Sequence, residues 1–455
     1  MRAGFGAVDG AALVVTTVVG AGIFTVPAYV AGLAGSSMAT LGLWIAGGLL
    51  ALGGALCYAE LGARLPRGGA EYAYLREAFG ESFAFLSGWT SFVAGFSGAI
   101  AAAAVGFAVY LASVVPAVAA FSLASWRIGP LTMSLDGQTL VALLLILVFT
   151  MVSVTGVRAS RVTTNALALL IIGGVVAIVG AGFAGDVASV AVPAHGDGGA
   201  WSALVPIFFT YSGWNAAAYV AGECRDPPRS IPRALIGGTL VVTVLYVAIN
   251  AALLRILSPA GLAAADAPVA GAARVTMGSA GELAVILLVL AALASSVCAM
   301  VITGPRIYRE MARDRVLPPF FGRTRQRQQT PYVAAIAQSV WSAGLVLSGT
   351  FEQIVTYTGF SIVVFSGAAV CALIVLRRRQ GAPRTYRVPG YPFVPLLFIV
   401  ACVSITVASI RYAPGPSLVG VALILAGVPV RRAFRNRDHA PQAPIPGAAE
   451  VMAAP

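Results

Sequence analysis

The sequence predicts an all-α, polytopic membrane protein of about twelve transmembrane helices, each needing roughly 20 apolar residues, with the first and sixth broken. Three observations carry that prediction. Of 455 residues, 59% are hydrophobic and only 10% charged, where a soluble chain carries about 25% charged. Apolar runs long enough to span a bilayer recur along the chain; nothing between Asp9 and Glu60 is charged, and Gly35-Ser-Ser37 divides that stretch in two. Finally, two of the runs are interrupted, five spans apart, by residues that break a helix.

In order, the expected spans are Gly10 to Ala34, Met38 to Ala59, Ser82 to Val115, Thr139 to Val157, Val162 to Ala184 and Trp201 to Ala221. The second half continues with Ala234 to Leu254, Leu283 to Thr303, Tyr332 to Ser348, Ile354 to Leu376, Pro392 to Ile410 and Ser417 to Val430. The third is too long for an upright helix and is expected to tilt. Between spans two and three, Leu65, Tyr72, Leu75 and Phe79 alternate with Arg67, Glu71, Arg76 and Glu77. This predicts a short amphipathic helix lying against the membrane face. Ile307 to Leu317 reads the same way. One membrane domain covers 1–432, and the Arg-, Pro- and Ala-rich segment 433–455 is expected to be a disordered tail.

The net charge of +12 comes entirely from arginine, since the chain has no lysine. Arg127, Arg255, Arg274 and Arg411 fall on one side of the expected topology; the other arginines fall at the termini and in alternate loops on the opposite side. That is the positive-inside pattern: it places both termini in the cytoplasm of a cell-membrane protein and gives no ground for a nucleic-acid partner. The first run is too long for a cleavable signal and continues into a second span. Cys57, Cys224, Cys298, Cys371 and Cys402 lie in apolar runs or at their cytoplasmic ends, so no disulfide and no disulfide-linked partner subunit is expected.

The breaks are the informative elements. In Thr17 to Pro27, Gly20 and Gly22 weaken the helix and Pro27 lacks the N–H that the Ile23 carbonyl would use. In Phe208 to Asn215, Gly213 can leave helical geometry and Ser212 can cap a new start, while Pro206 frees the Ser202 carbonyl. Exposed backbone inside a membrane is tolerated only against protein or a water-filled cavity. Corresponding interruptions entering from opposite sides mark a transporter's binding site.

At these residues the chain resembles the amino acid–polyamine–organocation superfamily, specifically its bacterial amino acid permeases. The likeness rests on Val19-Gly-Ala-Gly-Ile-Phe-Thr-Val-Pro27, Glu60 to Tyr72, Tyr211-Ser-Gly-Trp-Asn215 with Gly222-Glu223, Gly304-Pro-Arg306 with Met311-Ala-Arg-Asp314, and Tyr386 to Pro392. It implies two inverted five-helix repeats, 1–184 and 201–376, with accessory helices in 392–430 and a substrate site between spans one and six. By resemblance, Gly20, Ala21, Gly22 and Ile23 hold the substrate backbone, joined by Phe209, Thr210, Ser212 and Gly213. Phe209 is expected to close over the substrate. Physically, N–H groups after the first break suit a carboxylate, and freed carbonyls suit an ammonium. Trp214 reads as packing; Asn215 reads equally as a site residue or a helix–helix hydrogen bond.

One departure bears on coupling. Many sodium-independent relatives carry a lysine in span five; the matching position here is about Leu170, and no lysine exists to replace it. Ser295 and Ser296 in span eight can join first-span carbonyls as an all-oxygen sodium site, or be simple packing residues. Glu223 or Glu60 are the alternatives as proton carriers, and exchange without an ion is a further one.

The expected function is alternating-access transport of small or medium neutral amino acids, by exchange or cation coupling, with no cofactor and no metal. Its expected partners are the amino acid and membrane lipid. Cationic amino acids or polyamines require a carboxylate near the distal amine, and spans one, three, six, eight and ten offer none. A binding-only sensor or channel would bind without counterflow. Gly95-Phe-Ser-Gly98 fits a serine-nucleophile motif, but the only histidines are His195 and His439, in an outer loop and the tail, so an intramembrane protease lacks its base.

Overall fold

The computed structural model describes residues 5–438 apart from 21, 129–130, 185–202, 266, 325–329, 348–350, 382, 384 and 413. Its helices run α1 Ala7–Val18, α2 Gly22–Ala34, α3 Ser37–Arg64, α4 Glu71–Phe79, α5 Glu81–Thr90, α6 Phe96–Val114, α7 Pro116–Ala120, α8 Gly137–Thr155 and α9 Val157–Ala184. They continue as α10 Leu204–Thr210, α11 Ala216–Tyr219, α12 Pro227–Ala263, α13 Pro268–Thr303, α14 Pro305–Arg313, α15 Tyr332–Leu347, α16 Phe351–Gln380, α17 Phe393–Tyr412 and α18 Pro414–Asp438.

Among the described residues, nine helices are long and apolar enough to cross a membrane, and the bent pair α1–α2 makes a tenth. The expected twelve is not reached by that criterion: α15 has only 16 residues, and the sixth span is divided into the short pieces α10 and α11. Polar caps explain several starts. The Ser36 hydroxyl accepts from the Ala39 N–H at 3.2 Å at the head of α3, and the Asp136 carboxylate from Thr139 N–H at 2.8 Å at the head of α8.

Other features differ from the sequence expectation. The connection from α7 to α8 carries an antiparallel hairpin, β1 Ser122–Ile128 with β2 Leu131–Asp136, so the described residues are helical with one small sheet. Alternation of Leu131, Met133 and Leu135 with polar neighbours gives β2 the period of a strand. The third span relieves its length by an interruption: α5 passes into α6 through a π-helical stretch, Ser91–Gly95, a local widening common at functional sites. Finally, α18 continues to Asp438, into the expected tail, because Arg431-Arg-Ala-Phe-Arg is made of residues that tolerate a helix; 439–455 lie outside the described residues.

The centre of the molecule is α1, α3, α12 and α13. Helix α12 packs along both α1 and α3, while α13 packs against α6 and α9. Helix α4 is largely enclosed by protein. It packs on α5 and α16 and buries Glu71, Tyr72, Tyr74, Leu75 and Ala78. Residues that alternate like a surface helix here divide between two protein faces.

Candidate functional site

The two interruptions face each other. Helix α1 ends at Val19, whose backbone is extended (φ −75°, ψ 96°), and α2 departs at 55°. Helix α10 ends at Thr210, and the chain turns through Gly213 at φ +103° before α11. Only glycine takes that conformation without strain. Position Gly213 also admits no side chain, because a Cβ there would lie 2.7 Å from Thr17 Cγ2. Reciprocally, a Cβ on Gly22 would lie 2.8 Å from Thr210 Oγ1. Each break therefore presses a glycine against a threonine of the other.

A single phenol ties the breaks together. Tyr246 of α12 donates its hydroxyl to the Val18 carbonyl at 2.9 Å and lies 3.3 Å from the Thr210 carbonyl. These are the last carbonyls of α1 and α10, which have no helical partner. Tyr246 is buried against Tyr211 and Trp44, and Tyr211 donates to the Trp44 carbonyl. No sequence signal distinguished Tyr246 from any other tyrosine in a span.

Between the breaks lies a cavity of about 660 Å³. Its walls include Thr17, Gly20 and Gly22 from the first break, and Phe209, Thr210, Ser212, Gly213 and Asn215 from the second. Ser91 and Gly95 of the π-helical stretch, Ser296 of α13 and Thr358 of α16 also contribute. Of the residues singled out in sequence, Gly20, Gly22, Phe209, Thr210, Ser212 and Gly213 thus come together on one cavity. The side chain of Ile23 points into the core, 1% exposed, and is not part of the wall. Ala21 lies outside the described residues.

Phe209 is one of the less buried aromatic rings, 36% exposed, and it leans on Gly359 of α16, where a Cβ would lie 3.0 Å from its ring. Trp214 packs edge-on against Tyr58 and Phe398, as a packing residue should. Ser295 and Ser296 do reach the first break: their hydroxyls lie 3.4 Å and 3.5 Å from the Thr16 and Thr17 carbonyls. Ser295 also donates to Ala292 within its own helix at 2.8 Å, the better bond of the two. Among the described residues no cluster of three His, Cys, Asp or Glu forms a metal centre.

Sequence reasoning missed the one carboxylate that lines the cavity among the described residues. Glu71, at the first turn of α4, is 6% exposed and lines the wall. Its Oε1 accepts from Tyr58 Oη at 2.9 Å and Asn215 Nδ2 at 2.6 Å, while Oε2 is buried without a partner. Helix α4 lies outside the membrane-spanning helices. Burial pushes the Glu71 carboxyl above the ordinary glutamate range, against the polar side chains around it, Tyr219, Tyr58 and Asn215, which pull it down. Asn215 is accordingly both a wall residue and an inter-element hydrogen bond.

Glu223 and Glu60 are placed differently. Glu223 lies off the cavity, held by Arg306 at 2.9 Å and Arg309 at 3.4 Å. Glu60 is fully buried, gripped on both oxygens by Arg377 and accepting the Val388 N–H at 2.7 Å. In span five Leu170 is 55% exposed and faces outward, away from the cavity. Inward-facing positions of α9 include Thr164, Ala168 and Ile171. Ser97 is buried with its hydroxyl unpartnered and no base beside it; His195 and His439 lie outside the described residues.

Residues 5–430 match the family model described as amino acid permease. The chain is 27% identical to the serine/threonine exchanger SteT of Bacillus subtilis, across 93% of this chain and 95% of that one. It is 29% identical to the human large neutral amino acids transporter small subunit 2, across 93% and 79%. An uncharacterized transporter of Mycobacterium tuberculosis is 29% identical, across 96% and 93%.

Proposed function

The chain belongs to the amino acid permease family, and on that premise we propose that it moves small or medium neutral amino acids across the cell membrane by alternating access. The observation that carries this reading is the pairing of two backbone breaks across one cavity. A free amino acid presents a carboxylate and an ammonium one carbon apart. The N–H groups opening α2 suit the former, and carbonyls at the ends of α1 and α10 suit the latter. Gly20, Gly22, Thr210, Ser212 and Gly213 form that backbone cradle, with Ala21 and Ile23 contributing main-chain groups, and Phe209 covers it. Named substrates of the relatives, serine and threonine for one and large neutral amino acids for another, support a neutral side chain. The chain works as a carrier and not as an enzyme.

The rest of the reading follows from the sequence. The positive-inside distribution of arginine supports cytoplasmic termini in a plasma or inner membrane, and 1–184 and 201–376 are read as inverted repeats followed by accessory helices in 392–430. The cysteines, none of which falls in an outer loop of the expected topology, support a chain without a disulfide-linked subunit.

Glu71 favours a second reading, a carrier of cationic amino acids or polyamines, because it supplies the carboxylate that the spans themselves lack. Its Oε1 is already engaged by Tyr58 and Asn215, and this weighs for the neutral reading. Counterflow in proteoliposomes with labelled alanine, serine, leucine, arginine and putrescine separates the two. Exchange of the neutral amino acids is expected; movement of putrescine or arginine alone overturns the proposal.

A further inference from the structure

Glu71 combines properties that no other carboxylate among the described residues shares: it lines the transport cavity, it is buried, and one of its oxygens has no partner. The groups facing it are neutral. Tyr58 comes from α3, Tyr74 from α4 itself, and Asn215 and Tyr219 from the end of the second break. Charged groups on the neighbouring elements are engaged elsewhere. Arg76 pairs with Asp314 and with Glu81 of α5; Arg306 and Arg309 of α14 hold Glu223; Arg377 of α16 holds Glu60, and Arg379 donates to the Ala78 carbonyl.

A carboxylate so enclosed without a cation is costly, and the simplest compensating partner is a proton. The proton sits well on Oε2, which accepts nothing from the protein. What makes the site adjustable is that one of its donors, Asn215, belongs to the turn between α10 and α11. A rearrangement of that turn around substrate removes or restores a hydrogen bond that favours the charged form. Substrate binding and proton affinity are then linked, and linkage is reciprocal.

We infer that Glu71 is the proton-binding group of this carrier, taking up and releasing a proton with each passage of substrate. It does so in a chain that has no lysine. The inference rests on the transport reading above, and it replaces Glu223 and Glu60, whose arginines already neutralise them.

The test uses the full chain in proteoliposomes with a pH dye in the lumen. With an amino acid that the counterflow panel identifies, wild-type uptake acidifies the lumen, and an inward proton gradient drives accumulation. In Glu71→Gln the protons moved per amino acid fall to none, and accumulation no longer responds to the gradient. Proton movement that persists in Glu71→Gln, or wild-type uptake without proton movement from acid to neutral pH, overturns the inference. Infrared difference spectra across a pH titration provide a readout that needs no substrate. A protonated-carboxyl band titrating above the ordinary glutamate range is expected in wild type and absent in Glu71→Gln. Tyr58→Phe removes a donor to the carboxylate and moves the midpoint to higher pH. Absence of the wild-type band, its survival in Glu71→Gln, or an unmoved midpoint in Tyr58→Phe sinks the proton site. Failure of every amino acid in the panel to exchange sinks the transport reading instead.

Discussion

The cavity and the charged cluster around Glu223 solve the same problem in opposite ways. Both bring polar groups into a largely apolar molecule. At the cavity the polar groups are backbone: carbonyls of Val18 and Thr210 share one phenol, and glycines at 20, 22 and 213 leave the main chain bare. At the other region the polar groups are full charges, Glu223 with Arg306 and Arg309, locked further by backbone bonds between Phe5 and Glu223 and between Arg225 and Phe5. Backbone dipoles left partly unpartnered can exchange a protein partner for a ligand at little cost. Paired charges cannot part without a large penalty. The first region suits binding and release, the second suits holding elements together.

Substitutions can break that contrast, beginning with the largest effect. Glu223→Ala strands Arg306 inside the protein and leaves Arg309 with Glu310 alone, and loss of one partner of a buried pair costs about 3–5 kcal/mol. A sharp drop in the melting temperature of the purified protein is expected, and an unchanged one would show the cluster to be solvated. Next comes Gly213→Ala, which forces an L-residue to φ +103° and a methyl onto Thr17, at a cost of about 1–3 kcal/mol. Transport should fall with it. Gly22 is a poor probe of binding because its neighbour Thr210 leaves no room. Gly20 is better: the nearest atom to an added Cβ is Ser296 Oγ at 3.9 Å. Gly20→Leu should fill the cavity and abolish substrate binding with the melting temperature kept; retained affinity in a binding assay removes Gly20 from the site. Phe209→Ala should raise the apparent KM by about tenfold, equivalent to about 1.4 kcal/mol, and wild-type kinetics would reduce Phe209 to packing against Gly359. The smallest effect concerns Ser295 and Ser296. Because Ser295 is satisfied within α13, replacing sodium by choline should leave uptake unchanged, and slowed uptake would restore the sodium site.

Much of the cavity was legible in the sequence, for a physical reason. Glycine and proline within a long apolar run conflict with the demand that every backbone group in lipid be bonded, so Gly20, Gly22, Pro27 and Gly213 announce themselves. Glu71 does not. Its neighbours alternate like those of a surface helix, and periodicity cannot tell a helix between protein and water from one wedged between protein and protein. The same ambiguity hid Leu170, whose facing depends on a helix rotation that a gapless match leaves undetermined. Ile23 shows the reverse limit: its main-chain carbonyl is readable from Pro27, but not the direction of its side chain.

The Tyr246 hydroxyl has one proton and two carbonyls within reach, at 2.9 Å and 3.3 Å. It can donate fully to only one of them. If α1 and α10 draw apart during a working cycle, the phenol must choose, and the helix end it abandons is left with a bare acceptor facing the cavity. The ammonium of an amino acid is a suitable replacement donor. On the transport reading proposed above, Tyr246 would hold a place that the ammonium of the cargo can take.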